Sequence, residues 1–339
     1  MNRPRIFLTH AEGVRRHYYD EMAVARLRGL GEVVLNHTGV ALTTPQLIAA
    51  ARDCQVIVSD RQAAAPAELF RRSPQLAVFL RCAVDIRNVD VAAATETGVL
   101  VTRASAGFAT AVAEWAVGAM LDLFRHTSDY VLAHRHGQVA RPQMGRELRG
   151  ATLGVLGYGV IGRELGRLAL AFGMRVLVSD PHRRVEDPDV EQREIDALLP
   201  DADVVVCLVP ATPQTENLMD ASRFAQMKRG AVFINAARGE LVDEAALLHA
   251  LDSGQLAGCA MDVGRAPDQM PSPALAVHPL VIATPHIGGL TPQAASHQAL
   301  ETVEQLAALM RGEMPPGAMN APHATRLADL VPGLHPGYP

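Results

Sequence analysis

Residues 153–166 read "LGVLGYGVIGRELG", and few segments restrict a fold as much. An apolar run ends in Gly157-Tyr158-Gly159-Val160-Ile161-Gly162, and a helical pattern begins inside that glycine-rich turn. The spacing has a physical purpose. Gly157 permits the tight turn, Gly159 lets a pyrophosphate approach the backbone, and Gly162 lets helix and strand pack closely. The helix N-terminus then offers unpaired N–H groups to phosphate charge. G-x-G-x-x-G alone is weak evidence, but between a strand and a helix it points to a dinucleotide. The next apolar run, "RVLVSD", ends in Asp180, close to the ~20 residues after the glycines at which a carboxylate meets the ribose hydroxyls. A carboxylate there repels the extra phosphate of NADP, so the segment favours NAD. Arg183 and Arg184 stand close by and keep NADP open.

The surrounding pattern agrees with such a fold. Between 151 and 290, short apolar runs ("TLGVL", "RVLVSD", "DVVVCLV", "AVFIN", "GCAMDV", "LVIAT") alternate with helical patterns such as "VDEAALLHALDSG". Strand–helix alternation implies βαβ units and a mostly parallel sheet covered on both faces. Residues 1–100 repeat the logic with weaker strands, "RIFLTH", "EVVLN", "QVIVSD" and "LAVFLR", which predicts a second, smaller α/β domain. Residues 108–137 read as one long helix linking the halves, and 293–311 as another helix starting soon after Pro292. From Pro315 the chain is rich in proline and glycine, and irregular structure is expected there.

A chain of 339 residues has room for two domains, and 49% apolar with 20% charged residues is ordinary for a globular protein. A net charge of −5, spread along the chain, argues against nucleic acid or an anionic membrane as the main partner. No stretch reaches the ~18 apolar residues of a spanning helix, and "MNRPRIFLTH" lacks the apolar core of a secretory signal. Cys54, Cys82, Cys207 and Cys259 are isolated, and the last two sit in apolar runs and read as buried thiols. A reducing cytoplasm is the expected compartment. "HRH" at 134–136 does not read as a metal site, because positions i and i+2 do not share a helix face.

One further stretch carries chemistry. In "ATPHIGGLTP" Pro285 fixes the path into His286 and two glycines free the path out, so the imidazole is presented from a shaped turn. The glycine loop, "MKRGAVFINAARGELVDEAALLHAL" and "LVIATPHIGGLTP" together resemble the D-isomer-specific 2-hydroxyacid dehydrogenase family, over roughly residues 50–320. The resemblance implies an α/β protein in which a Rossmann-type cofactor domain, 104–290, is inserted into a smaller flavodoxin-like substrate domain, 1–103 with 291–339. The active site would lie in the cleft between them, and members are usually homodimers through the inserted domain. By the same resemblance Arg238 grips the substrate's carboxylate and carbonyl, and His286 is the general acid/base. Asp262 holds the nicotinamide carboxamide. Val209, Pro210, Thr215 and Ala236 complete the NAD contacts, and Val84 and Asp85 meet the substrate. No metal is implied. The chemistry is coherent. Hydride transfer to a ketone develops negative charge on oxygen, which an imidazole can protonate near neutral pH, while a guanidinium fork suits the adjacent carboxylate.

The chain departs from the family at two places. The glutamate that hydrogen-bonds the catalytic histidine falls at Pro267, with Asp268 one place on, so the Asp268 carboxylate is the expected substitute. Otherwise His286 works without one or takes one from elsewhere, including Asp85. In "RCAVDIRNVD" the family has glycine at 85 and aspartate at 87, and this chain has Asp85 and Arg87. An aspartate at 85 would repel an anionic substrate unless it points away or pairs with Arg81, Arg87 or Arg103. The expected activity is NAD-dependent interconversion of a 2-hydroxy and a 2-oxo acid. The alternatives are the same fold acting on a formate- or phosphite-like anion, and a catalytically impaired NAD-binding sensor.

Overall fold

The computed structural model describes residues 3–331. The chain divides into two compact units. One is built from residues up to Gly107 together with those from Thr291 onward, and the other is Phe108–Leu290.

The first unit holds β1 (Arg5–Leu8), β2 (Glu32–Leu35), β3 (Val56–Ser59), β4 (Val78–Arg81) and β5 (Leu100–Arg103). They form one parallel sheet in the order β2-β1-β3-β4-β5, the flavodoxin-like order. Successive side chains alternate between two apolar layers. Val56 and Val58 join a layer with Val303 and Leu306 of the helix Pro292–Met310, while Ile57 joins Phe70 and Phe79 on the other face. That helix is capped by Thr291, whose hydroxyl accepts from the Ala294 N–H, with Pro292 in its first turn.

β5 and its covering differ from the reading of the sequence. "LVTR" is not among the strands expected from the sequence, yet Leu100, Val101 and Thr102 are buried at the sheet edge. The reason is the tail, which is not free of structure. Met319 N–H donates to Val101 O, and buried Asn320 bonds Val101 N–H, Val99 O and Thr95 Oγ1. An otherwise open edge is thereby paired. The last part of the tail, 332–339, lies outside the described residues.

The second unit holds β6 (Thr152–Leu156), β7 (Arg175–Ser179), β8 (Val190–Gln192), β9 (Val204–Cys207), β10 (Ala231–Asn235), β11 (Leu256–Met261) and β12 (Val281–Ala283). The order is β12-β11-β10-β9-β6-β7-β8, with every ladder parallel. This is the doubly wound dinucleotide-binding order with one strand added, and its switch point lies between β6 and β9. In β9, Val204 and Val206 enter one apolar layer and Val205 and Cys207 the other. Burial pushes the Cys207 thiol up to about 12, so it is an inert packing group.

The predicted single helix over 108–137 is two helices, Ala109–Arg125 and Thr127–Arg135. His126 between them is left-handed, at φ 56°. The Asp122 carboxylate causes the break to hold, because it accepts from both the N–H (2.7 Å) and the hydroxyl of Ser128. Helical periodicity does not register such a local competitor. The first of these helices packs on the β-sheet of its own unit through Ala113, Ala116 and Met120.

Candidate functional site

Since all strands of the second sheet run the same way, the segments following β6, β7, β9, β10, β11 and β12 emerge along one edge. That edge carries the glycine loop, Asp180, Val209, Arg238, Asp262 and His286 in turn. Ligands of open parallel sheets bind at this carboxyl edge.

At the glycine loop, Gly157 has φ +94°. A Cβ on Gly162 would lie 2.3 Å from Gly157 O, so the helix Val160–Ala171 seats only because no side chain stands there. A Cβ on Gly159 would meet nothing within 4 Å, which leaves open the space a pyrophosphate needs. Asp180 reaches back to this loop. Its Oδ2 accepts from Tyr158 N–H and its Oδ1 from His182 N–H, each at 2.9 Å. A carboxylate has about four lone-pair sites, so acceptors remain for ribose hydroxyls. Tyr158, Arg163, Arg167, Arg183 and Arg184 border a hollow of about 700 Å³ alongside. After β9, Thr215 ties its loop together, donating to Pro210 O and accepting from Thr212 N–H, both at 2.8 Å. Ala236 N–H donates to Cys207 O at 3.4 Å.

Arg238 sits on a segment fixed by Asn235, which ends β10 and is fully buried. Asn235 Oδ1 accepts from Ala237 N–H (3.0 Å) and its Nδ2 donates to Arg238 O (2.9 Å). One Arg238 nitrogen donates to Ala237 O at 2.6 Å. Sequence reasoning passed over Asn235. Its signal was a lone polar residue closing an otherwise apolar strand.

Asp262, 3% exposed, holds the histidine turn. Its Oδ1 accepts from Thr284 Oγ1 (2.7 Å) and Ile287 N–H (2.8 Å), and its Oδ2 accepts from Gly288 N–H (2.7 Å). The resemblance assigned Asp262 to the cofactor and did not foresee these three bonds. His286, between them, is left-handed at φ 57°. Its Nδ1 lies 3.3 Å from the main-chain carbonyl oxygen of Asp268. Thus the structure brings Asp268 to His286, and the main chain makes this contact.

The segment 264–270 that presents this carbonyl is a tight hairpin. Gly264 N–H donates to Gln269 O (2.8 Å), Ala266 N–H to Met270 O (3.0 Å), and Met270 N–H to Pro267 O (3.4 Å). Asp268 and Gln269 at its tip have φ 58° and 63°, the signature of a type I′ turn. Among the described residues five non-glycine residues have positive φ, and Asp268, Gln269 and His286 are three of them. Each costs on the order of 1 kcal/mol or more, and such strain gathers at functional sites. The hairpin is tied to the Arg238 segment. A Cβ on Gly239 would lie 2.1 Å from Gly264 C, so the two backbones touch, and Gln269 Nε2 donates to Glu240 Oε1 at 3.3 Å. Arg265 clamps the same region, donating to Glu216 Oε1, Asn217 Oδ1 and Glu240 O.

In the first unit, the segment after β4 explains its unusual residues. Asp85 Oδ1 and Oδ2 accept from Arg87 Nε, both at 3.1 Å, and Oδ2 also from Arg87 Nη2 at 2.8 Å. The two altered residues of this segment, Asp85 and Arg87, therefore form one ion pair. Val84 beside it is half-buried. Underneath, buried Arg81 donates to Asp85 O (3.1 Å), Asn88 Oδ1 (2.7 Å), Ala63 O (2.9 Å) and Asp60 O, binding two loops together.

Comparison with known proteins agrees with this geometry. Residues 117–288 match the model of the D-isomer specific 2-hydroxyacid dehydrogenase NAD-binding domain. D-3-phosphoglycerate dehydrogenase of Rattus norvegicus is 35% identical over 288 residues, covering 83% of this chain and 53% of the relative. The Bacillus subtilis enzyme of the same name is 35% identical over 263 residues, covering 76% and 50%. The chain thus spans about half the length of the curated relatives it matches. The crystal structure of the TT0316 protein from Thermus thermophilus superposes with a TM-score of 0.82 at 31% identity, covering 93% of this chain and 99% of that one. No helix among the described residues is long and apolar enough to cross a membrane. With the doubly wound sheet, the glycine loop and these matches in hand, the chain belongs to the D-isomer specific 2-hydroxyacid dehydrogenase family, and NAD(H) is the cofactor of its Phe108–Leu290 unit.

Proposed function

We propose that this protein is an NAD(H)-dependent dehydrogenase interconverting a 2-hydroxy acid and a 2-oxo acid. The observation that carries the reading is one sheet edge bearing the glycine loop, an Asn235-fixed arginine and a left-handed histidine pinned by Asp262. The glycine loop, Asp180, Val209, Pro210, Thr215, Ala236 and Asp262 would hold the dinucleotide. When bound, NADH supplies the reducing equivalent as a hydride. Arg238 offers a fixed positive fork to the substrate's carboxylate and carbonyl. His286, with Nδ1 engaged by a carbonyl, presents Nε2 to donate a proton to the substrate oxygen in reduction and to accept it back in oxidation. Asp268 acts as the residue against which His286 is set. Val84 and Asp85 in the first unit are further substrate contacts, and the residues up to Gly107 with those from Thr291 form the substrate domain.

On the same reading the chain works as a homodimer in the cytoplasm, consistent with four thiols that are all buried and unpaired. A panel of 2-oxo acids with NADH tests the activity. Consumption of NADH that depends on the 2-oxo acid, and is lost in His286→Ala and Arg238→Ala, is the expected result. No turnover of any 2-oxo acid in either direction, in a chain that binds NADH, overturns it. Light scattering in solution tests the dimer.

A further inference from the structure

Three features of the 264–270 hairpin converge on one histidine atom. Its tip is strained, its base needs glycine, and its Asp268 carbonyl lies 3.3 Å from His286 Nδ1. A carbonyl is only an acceptor, so this contact is a hydrogen bond only when Nδ1 carries the proton. The other ring nitrogen, Nε2, is then the unprotonated one. The contact therefore selects between the two neutral forms of the ring, which is the task a glutamate at position 267 would otherwise perform with charge.

We propose that this hairpin replaces the missing glutamate as the positioning device of His286: the main-chain carbonyl of Asp268 holds the proton on Nδ1, and Glu240 holds the carbonyl in place through Gln269. The hairpin is built for this. Pro267 opens the turn at its fixed φ. Asp268 and Gln269 both take left-handed φ, which turns the Asp268 carbonyl out of the hairpin's own ladder. Gly264 allows the two arms to close, since a Cβ there would lie 2.5 Å from Pro271 Cα and 2.6 Å from Met270 O. The Gln269 amide donates to Glu240 Oε1, two residues beyond Arg238. Substrate arginine and catalytic histidine are thereby registered to each other by one short piece of main chain. The inference rests on His286 being the acid/base group, but its first test does not.

That test is the tautomer of His286 in the whole chain labelled with ring-15N histidine, with neither substrate nor cofactor added. The resonance is assigned by its loss in His286→Gln. At alkaline pH the proton should reside on Nδ1, and a proton on Nε2 overturns the proposal. Asp268→Gly keeps the carbonyl and accepts positive φ, so the tautomer should persist. If it is lost, the Asp268 side chain is responsible and the carbonyl is not. Gln269→Leu should give a mixture of tautomers, whereas Glu240→Gln retains an acceptor for Gln269 and should preserve the single form. Should both behave alike, the Glu240 link is wrong. In the activity arm, Pro267→Glu supplies a carboxylate and should move the alkaline limb of the reduction profile up by about one pH unit. A chain with the expected tautomer and no turnover of 2-oxo acids would sink the proposed function while leaving the hairpin's role standing.

Discussion

Asp262→Asn tests whether the carboxylate after β11 positions His286. The wild-type group accepts two N–H bonds and one O–H bond, and it is nearly fully buried. Asparagine keeps one oxygen and turns the other into an NH2 donor. Its least costly orientation leaves Oδ1 on Ile287 and Thr284 and aims NH2 at Gly288 N–H. A buried N–H without an acceptor costs about 1–3 kcal/mol, and the two remaining bonds each lose about 1 kcal/mol of charge assistance. A loss of roughly 3 kcal/mol from the unit is expected. The reporter is built in. Trp115 is the chain's single tryptophan, and its ring lies 3.8 Å from where a Cβ on Gly288 would stand. Urea unfolding followed by tryptophan emission therefore reads this unit and this turn. In the assay, kcat for 2-oxo acid reduction should fall at least ~10-fold, since misplacing a catalytic group by about 1 Å can cost ~100-fold. KM for NADH should stay within a few-fold if positioning is the main role, and rise instead if the carboxylate chiefly holds the nicotinamide carboxamide. Thr284→Val removes one of the three bonds and should cost only about 1 kcal/mol. An Asp262→Asn chain with wild-type urea midpoint, emission and kcat would refute the reasoning.

Asp180 should make kcat/KM for NAD(H) at least ~10-fold higher than for NADP(H), equivalent to about 1.4 kcal/mol. Asp180→Ala should narrow the gap, and comparable values in the wild type would show that the Arg183 and Arg184 side of the loop dominates. The Asp85–Arg87 pair should leave pyruvate and glyoxylate poorly turned over. Asp85→Gly removes the negative charge, so kcat/KM for them should rise several-fold, and an unchanged value would place Asp85 outside substrate recognition. Stability of the first unit should depend on His10, which burial holds down at a pKa of about 4 against 6.5 in the unfolded chain. Between those values the unfolded state binds a proton that the folded state does not, so stability falls as pH drops from 6.5 to 4. The contribution is about 3 kcal/mol, present in full at neutral pH and lost by about pH 4. His10→Gln should flatten that part of the urea-midpoint profile, and parallel profiles for the two chains would discard the burial argument.

What could be read from the sequence was whatever a residue type announces by itself. Valine-rich runs such as "DVVVCLV" appear as strands because both faces of a central parallel strand are apolar. Glycines at 157 and 162 are legible because a side chain would meet a left-handed φ at the first and Gly157 O at the second, and Gly159 because a pyrophosphate needs the open space beside it. The edge strands were harder. β8 is "VEQ", one buried valine followed by two exposed polar residues, and the outer edge of β5 is closed by Asn320, which arrives from 219 residues further on, at 2.9 Å from its Val101 N–H. At the site the same limit is sharper. Asp262 looks like a ligand for a cofactor and also serves as the clasp of a turn, and its letter is the same in either role. The carbonyl against His286 Nδ1 has no letter at all, since every residue carries one. Its only marks in the sequence are Gly264 and Pro267, which make the hairpin possible. Looking for a carboxylate near the lost glutamate finds Asp268, but the main-chain oxygen that lies 3.3 Å from Nδ1 is outside such a search. A main-chain acceptor of this kind is found by asking why two non-glycine residues in succession bear the strain of left-handed backbone. Here the answer is a carbonyl turned toward an imidazole.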